Sequence, residues 1–183
     1  VLKDTHRSVS FGTRKPDVVG YLANKPRSIF HIALVGDVKA RRQENEAVFD
    51  ASEKGQMESF LEDLLLEFQP YRQAVNGFLT DGCLIQFFRL EKLEASTSAC
   101  ELQWTEGPVH FLHDEGDKWL LGLLRNRNAH GLPEDIFINE EPVVMDQLLG
   151  VGGSSVVYSG THQGTILSSF LLLRSPLFFV TST

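Results

Sequence analysis

Two short stretches place acids and an amine at spacings that chemistry can use, Pro16-Asp17 and Asp37-Val38-Lys39. Side chains alternate faces along a strand, so Asp37 and Lys39 point one way while Leu34, Gly36 and Val38 take the other. Two carboxylates at neighbouring strand ends can hold a hard cation such as Mg²⁺, which prefers oxygen ligands and keeps several waters. Such a cation polarises a phosphodiester and stabilises charge on the leaving oxygen. An ammonium beside it can orient or deprotonate the attacking water and offset charge on the phosphoryl oxygens. The plain alternative is a solvated ion pair at a strand end, with Asp17 as a turn residue, and such a pair stabilises little. Against that stands the strongly apolar run that Asp37 follows, where a carboxylate is costly without a partner or a metal.

The elements that must position these groups are legible in outline. Ser8 to Leu22 reads as a strand bent near Pro16, and Ile29 to Lys39 as the clearest strand of the chain. The turn signal Asn24 to Ser28 between them predicts an antiparallel hairpin. Asp50-Ala51-Ser52-Glu53 fits a helix N-terminus, and Met57, Phe60, Leu61, Leu64, Leu65 and Phe68 follow helical spacing up to the stop at Pro70. Val75 to Thr80 and Leu84 to Leu93 flank Asp81-Gly82 as a hairpin. Glu101 to Trp104 and Val109 to Leu112 are further short strands, and Lys118 to Arg125 is a short helix. Phe78, Phe87 and Phe88 sit in apolar strands and belong to the core. His110 and His113 fall on opposite faces of a strand, which argues against a zinc pair. The order β-β-α-β-β-α predicts an α+β, or mixed α/β, domain.

Charge is unevenly spread over the 183 residues. Residues 1 to 42 hold nine Lys/Arg against three acids, a net +6, while the remainder holds eight against 21, a net −13. A uniformly basic nucleic-acid coat is excluded, yet a local basic face can still grip a phosphate backbone. Arg14, Lys15, Arg41 and Arg42 flank the acids and are the candidates for that grip. The bland reading is a solvated surface with a sign bias. The two cysteines, Cys83 and Cys100, read as reduced thiols and predict an intracellular site of action. No secretory signal is visible at Val1, and the apolar stretch Ile166 to Val180 is short and interrupted by Arg174 and Pro176, so no membrane anchor is expected.

Pro16-Asp17, then Asp37-Val38-Lys39, then a helix carrying Gln56, resembles the PD-(D/E)XK nuclease superfamily. The resemblance covers roughly residues 8 to 93 and implies a restriction-endonuclease-like fold, a mixed central sheet with flanking helices. It implies that Asp17 and Asp37 bind Mg²⁺, with Mn²⁺ as a substitute, that Lys39 serves catalysis, and that Gln56 or Lys54 assists from the helix. The family often places a Glu on a helix before the first strand, and no Glu precedes Phe11 here.

A second motif spans Leu149-Gly150-Val151-Gly152-Gly153-Ser154-Ser155-Val156-Val157-Tyr158. It resembles the glycine-rich loop of protein kinases, in which backbone N–H groups approach ATP phosphates. That resemblance assigns Gly150, Gly152, Ser155 and Val157 to nucleotide binding. The alternative is a flexible Gly/Ser linker. No lysine follows Lys118 and no aspartate follows Asp146, so ATP is expected only if the kinase-like segment were completed, and kinase activity is not expected of this chain. The expected division is a nuclease-like domain over 1–125, a linker over 126–145 and a truncated kinase-like segment over 146–183. The combination resembles Crinkler-type effector proteins. It implies a DNA-directed toxin or effector that acts in the nucleus of a host or rival cell, with DNA and host nuclear proteins as partners; self-association of the chain is a separate expectation. The competing expectation is a non-catalytic module that binds nucleic acid or protein, carrying an inactive ATP-binding kinase remnant.

Overall fold

A computed structural model describes residues 2–5, 15–21, 29–41, 49–70, 72–93, 101–125, 137–138, 141–151, 155–173 and 178–181. Strands β1 (Leu2–Asp4), β2 (Val18–Tyr21) and β3 (Ile32–Val38) come first, with a 3₁₀ turn at Ile29–His31. Helix α1 (Ala51–Glu62) runs on into π-helical turns over Asp63–Phe68. Then come β4 (Ala74–Thr80), β5 (Leu84–Leu93), β6 (Glu101–Phe111), a π-helical turn at Leu112–Gly116 and α2 (Asp117–Arg125). The six strands form one sheet in the order β1-β2-β3-β4-β5-β6. Every neighbouring pair is antiparallel except β3 with β4. A parallel pair needs a long crossover, and α1 supplies it. The described residues are thus mixed α+β, a strand-rich sheet with two helices.

Each helix covers one sheet face. Met57, Phe60 and Leu61 of α1 pack with Val35, Val75, Leu79, Phe88 and Leu90. On the other face, Leu34, Phe78 and Ile85 pack against Leu120, Leu123 and Leu124 of α2. β4 is buried along its whole length, as a central strand between two helix layers must be. The N-terminus of α1 is fixed by a reciprocal cap: Glu53 N–H donates to Asp50 Oδ1 and Asp50 N–H donates to Glu53 Oε2, both at 2.9 Å. Close approach needs small residues at two points. A Cβ at Gly77 would sit 2.5 Å from Met57 Sδ, and a Cβ at Gly36 would overlap the Phe78 ring.

Several elements differ from the sequence reading: β1 is not among the expected strands, and of the strand expected over Ser8 to Leu22 the described residues form one only at Val18–Tyr21. Ile29–His31 is a 3₁₀ turn, so β3 begins at Ile32. The Gln69 amide donates to the carbonyls of Ile29 (2.7 Å) and Ile32 (3.1 Å), and Arg72 also donates to Ile32 O (2.9 Å). Side chains about 40 positions away thus satisfy backbone that a strand ladder would otherwise occupy. Glu101–Phe111 is one strand, not two. Pro108 is tolerated because β6 ends the strand order and the register shifts between Gln86 and Phe88, where the Gln86 amide donates to Gly107 O (2.9 Å).

Beyond α2, β7 (Phe137–Ile138) and β8 (Glu141–Pro142) make a small ladder. β9 (Val144–Val151), β10 (Ser155–His162), β11 (Thr165–Leu173) and β12 (Phe178–Thr181) form a separate antiparallel sheet in the order β12-β11-β10-β9. Gln163 and Gly164 both have positive φ, 49° and 76°, as the tight β10–β11 turn requires. Among the described residues, no helix is long and apolar enough to cross a membrane.

Gly36→Ala should destabilise the protein by about 1–3 kcal/mol, the usual range for overpacking a core. Urea unfolding checks this, and a neutral or stabilising result would show that Phe78 does not lie across Gly36.

Candidate active site

The register of β2 and β3 brings the first two acids together. Val18 pairs with Gly36, and the next step outward sets Asp17 opposite Asp37. Asp17 Oδ2 accepts the Val38 N–H at 2.8 Å, so this carboxylate clasps the neighbouring strand. On the other side, Asp37 pairs with Leu79 of β4, and Lys39 N–H donates to Thr80 O at 2.8 Å. The Asp37-Val38-Lys39 segment is therefore held from both flanks. The Pro16-Asp17 step is held from the residue after β1: Thr5 N–H donates to Asp17 O at 3.0 Å, and the Thr5 hydroxyl donates to Pro16 O. Thr5 is fully buried.

Asp37 and Lys39 share the α1 face, as strand alternation requires. Lys39 Nζ lies 2.5 Å from Asp37 Oδ2 and donates to Gln56 Oε1 at 2.8 Å. At that distance the Lys39 ammonium is the ion-pair partner of the buried Oδ2. Asp37 is 3% exposed, which removes the reading of the pair as a solvated surface ion pair. Burial first, and the carboxylate of Asp17 second, push the Asp37 carboxyl up from 3.8 to about 6, with Lys39 pulling the other way. Asp17 and Lys39 are half-buried and form the more open side of the site.

The donor set for a cation is thus two carboxylates, with one oxygen of Asp37 paired to the Lys39 ammonium and one oxygen of Asp17 accepting the Val38 N–H. Among the described residues, no group of three or more His, Cys, Asp or Glu side chains stands ready to hold a metal. His110 instead stacks on Trp119, with ring centroids 6.2 Å apart.

Of the expected basic grip, Lys15 and Arg41 are exposed, two positions before Asp17 and two after Lys39. Arg14 and Arg42 lie outside the described residues. Lys54 turns away from the acids and pairs with Glu106 of β6 at 2.5 Å. In the glycine-rich segment, Gly150 of β9 pairs with Val157 of β10, Ser155 opens β10, and Gly152 lies outside the described residues. Thr5 is the contributor that sequence reading missed, because a Thr eleven positions from Pro16 carries no local signal.

Residues 1–72 match the family model described as a domain of unknown function (DUF6826). The matched stretch contains Asp17, Asp37, Lys39 and Gln56 and is less than half of the chain. No curated protein matches the chain, and no solved structure does.

The Asp37 carboxyl links this site to stability. Below pH 3.8 the folded and unfolded chains both carry the proton, and nothing is lost. Between 3.8 and about 6 the unfolded chain ionises first, so stability falls as pH rises; above about 6 the full penalty stands. That penalty is up to ~3 kcal/mol by linkage. Asp37→Asn should therefore be more stable than the native protein at pH 7.5 by up to that amount, with the difference closing toward pH 4. Urea unfolding at both pH values checks it, and a difference independent of pH would refute the assignment.

Proposed function

We propose that the chain is a metal-dependent nuclease of the PD-(D/E)XK type that hydrolyses DNA phosphodiester bonds. The observation that carries this reading is the convergence of Asp17, Asp37 and Lys39 at one end of β2 and β3, on the face that α1 covers. The layout of the sheet supports it. An antiparallel β2–β3 pair presents the acids, and the α1 crossover to parallel β4 returns Gln56 to the Lys39 amine.

Asp17 and Asp37 would hold the divalent cation, Mg²⁺ or Mn²⁺, through their carboxylate oxygens, beside the Lys39 ammonium. When bound, the cation supplies charge neutralisation at the phosphodiester and at the leaving oxygen. The chain's own residues divide the remaining work. Lys39 orients the attacking water and offsets charge on the phosphoryl oxygens, and Gln56 fixes the direction of its amine. Val38 N–H sets the angle of the Asp17 carboxylate, and Thr5 anchors the backbone that carries it. Lys15 and Arg41, both exposed, contact the nucleic-acid backbone as point charges. Since Asp37 gives up its proton only near pH 6, cation binding and cleavage strengthen above that pH.

A second reading, a non-catalytic module on the same fold, is favoured by one observation. Among the described residues the carboxylates number two, and the Lys39 ammonium already balances one of them. It predicts salt-sensitive DNA binding that is indifferent to Asp37. The wider setting, a Crinkler-type effector acting on DNA in a host nucleus, belongs to the same proposal.

Nicking of supercoiled plasmid with Mg²⁺ decides between the two readings. The native protein should cleave. Lys39→Ala and Asp37→Ala should lose on the order of 10²–10⁴-fold, as for a group acting directly on the reaction. Gln56→Ala should lose roughly 10–100-fold, as for a residue acting through another. Equal activity in all four proteins, or none in the native one, would remove the catalytic reading.

A further inference from the structure

On the opposite flank of α1 from Gln56 lies a pocket of about 430 Å³ lined by Ala51, Lys54, Gly55, Glu58, Trp104 and Glu106. Its volume falls at the small end of ligand sites, roughly 300–1,000 Å³. It uses none of the acids of the nuclease site.

We infer that this pocket receives the guanidinium of an arginine side chain from a peptide partner. Charge balance comes first. Lys54 and Glu106 neutralise each other across 2.5 Å, and the bond from Lys54 holds the Glu106 carboxyl below its usual range. Glu58 has no ion pair among the described residues, so the lining carries one unbalanced negative charge and asks for one cation. An anionic ligand such as a nucleotide meets the wrong sign. The helix N-terminus does not reverse this, because Asp50 and Glu53 already cap it.

The shape of the wall comes second. One ring face of Trp104 is taken by Phe88, stacked with centroids 5.1 Å apart, while its indole N–H is committed to Glu106 Oε1 at 3.1 Å. The residue is thereby held rigidly in the pocket wall, half-buried. A planar guanidinium can lie on an indole and bond a carboxylate in a fork, which an ammonium cannot match.

Gly55 is the third observation. It sits inside α1, where glycine is the poorest helix former after proline, and a Cβ there would meet nothing within 4 Å. Nothing in the described chain requires a glycine at this position. Its bare backbone leaves the pocket open.

The test uses intrinsic fluorescence. The chain has two tryptophans, so Trp119→Phe leaves Trp104 as the single reporter. The probes are a blocked Gly-Arg-Gly tripeptide, the matching Gly-Glu-Gly tripeptide and AMP. The arginine peptide should shift the emission saturably, and the other two should not. Glu58→Gln should weaken binding about tenfold, as for loss of one charged contact. Gly55→Leu should abolish binding while its melting temperature stays level or rises, which separates a blocked pocket from a damaged fold. No saturable shift with arginine, an equal shift with AMP, or unchanged binding in both variants would overturn the inference. Asp37→Asn should bind the arginine peptide normally, so a failure of the nuclease reading is seen separately in the plasmid assay.

Discussion

The buried carboxylate at the end of β3 is the constraint that the six-stranded sheet answers to. Seven residues of that strand supply six buried positions in succession, and the sixth is Asp37. A lone carboxylate there would be costly, so its surroundings must supply partners. The β2 register supplies Asp17, strand alternation supplies Lys39, and the α1 crossover supplies Gln56, which holds the Lys39 amine. A slip of one residue between β2 and β3 would send Asp17 to the opposite face and leave Asp37 beside a neutral neighbour. The same register that fills the core therefore assembles the site, and neither can change alone.

The parts legible in the sequence were those governed by local periodicity. The apolar run ending at Asp37, the 3.6-residue spacing from Met57 onward, the cap at Asp50 and the Asp81-Gly82 turn each carry their physics within a few residues. They were enough to place Asp37, Lys39 and Gln56 on facing elements. What was not legible depends on contacts distant in sequence. Gln69 and Arg72 satisfy the carbonyls around the 3₁₀ turn Ile29–His31, and Thr5, just after the three-residue β1, holds Pro16 and Asp17. Lys54 looked equivalent to Gln56 as a helix partner of the acids, yet the two are separated by 200° around the helix axis at ~100° per residue. One reaches β3 and the other reaches β6 across 52 positions. Pattern reading gives the helix, and only packing decides which flank faces which strand.

The electrostatics of α1 follow from that packing. Its outward position Glu62 is exposed, its inward positions are apolar, and its two flanks carry opposite tasks. Toward β3 it offers an uncharged amide to a lysine that is already paired with a carboxylate. A carboxylate in place of Gln56 would add a third negative group near Asp17 and Asp37 and raise the cost of ionising Asp37 further. Toward β6 it offers Lys54 to Glu106, which leaves Glu58 as the surplus charge of the pocket.

Both sites therefore take their precision from how firmly α1 is seated. Met57 enters the space left by Gly77, and Phe60 and Leu61 continue the contact over the central strands. A helix clamped this way cannot roll toward β3 without opening the side that faces β6, because a close-packed core has no slack to absorb the rotation. Groups built on such an element hold their geometry better than groups on loops. A ligand seated between α1 and β6 would touch the same helix that directs the Lys39 amine, although the two sites share no residue. The link between them is mechanical: one rigid element with Gln56 on one side and Glu58 on the other.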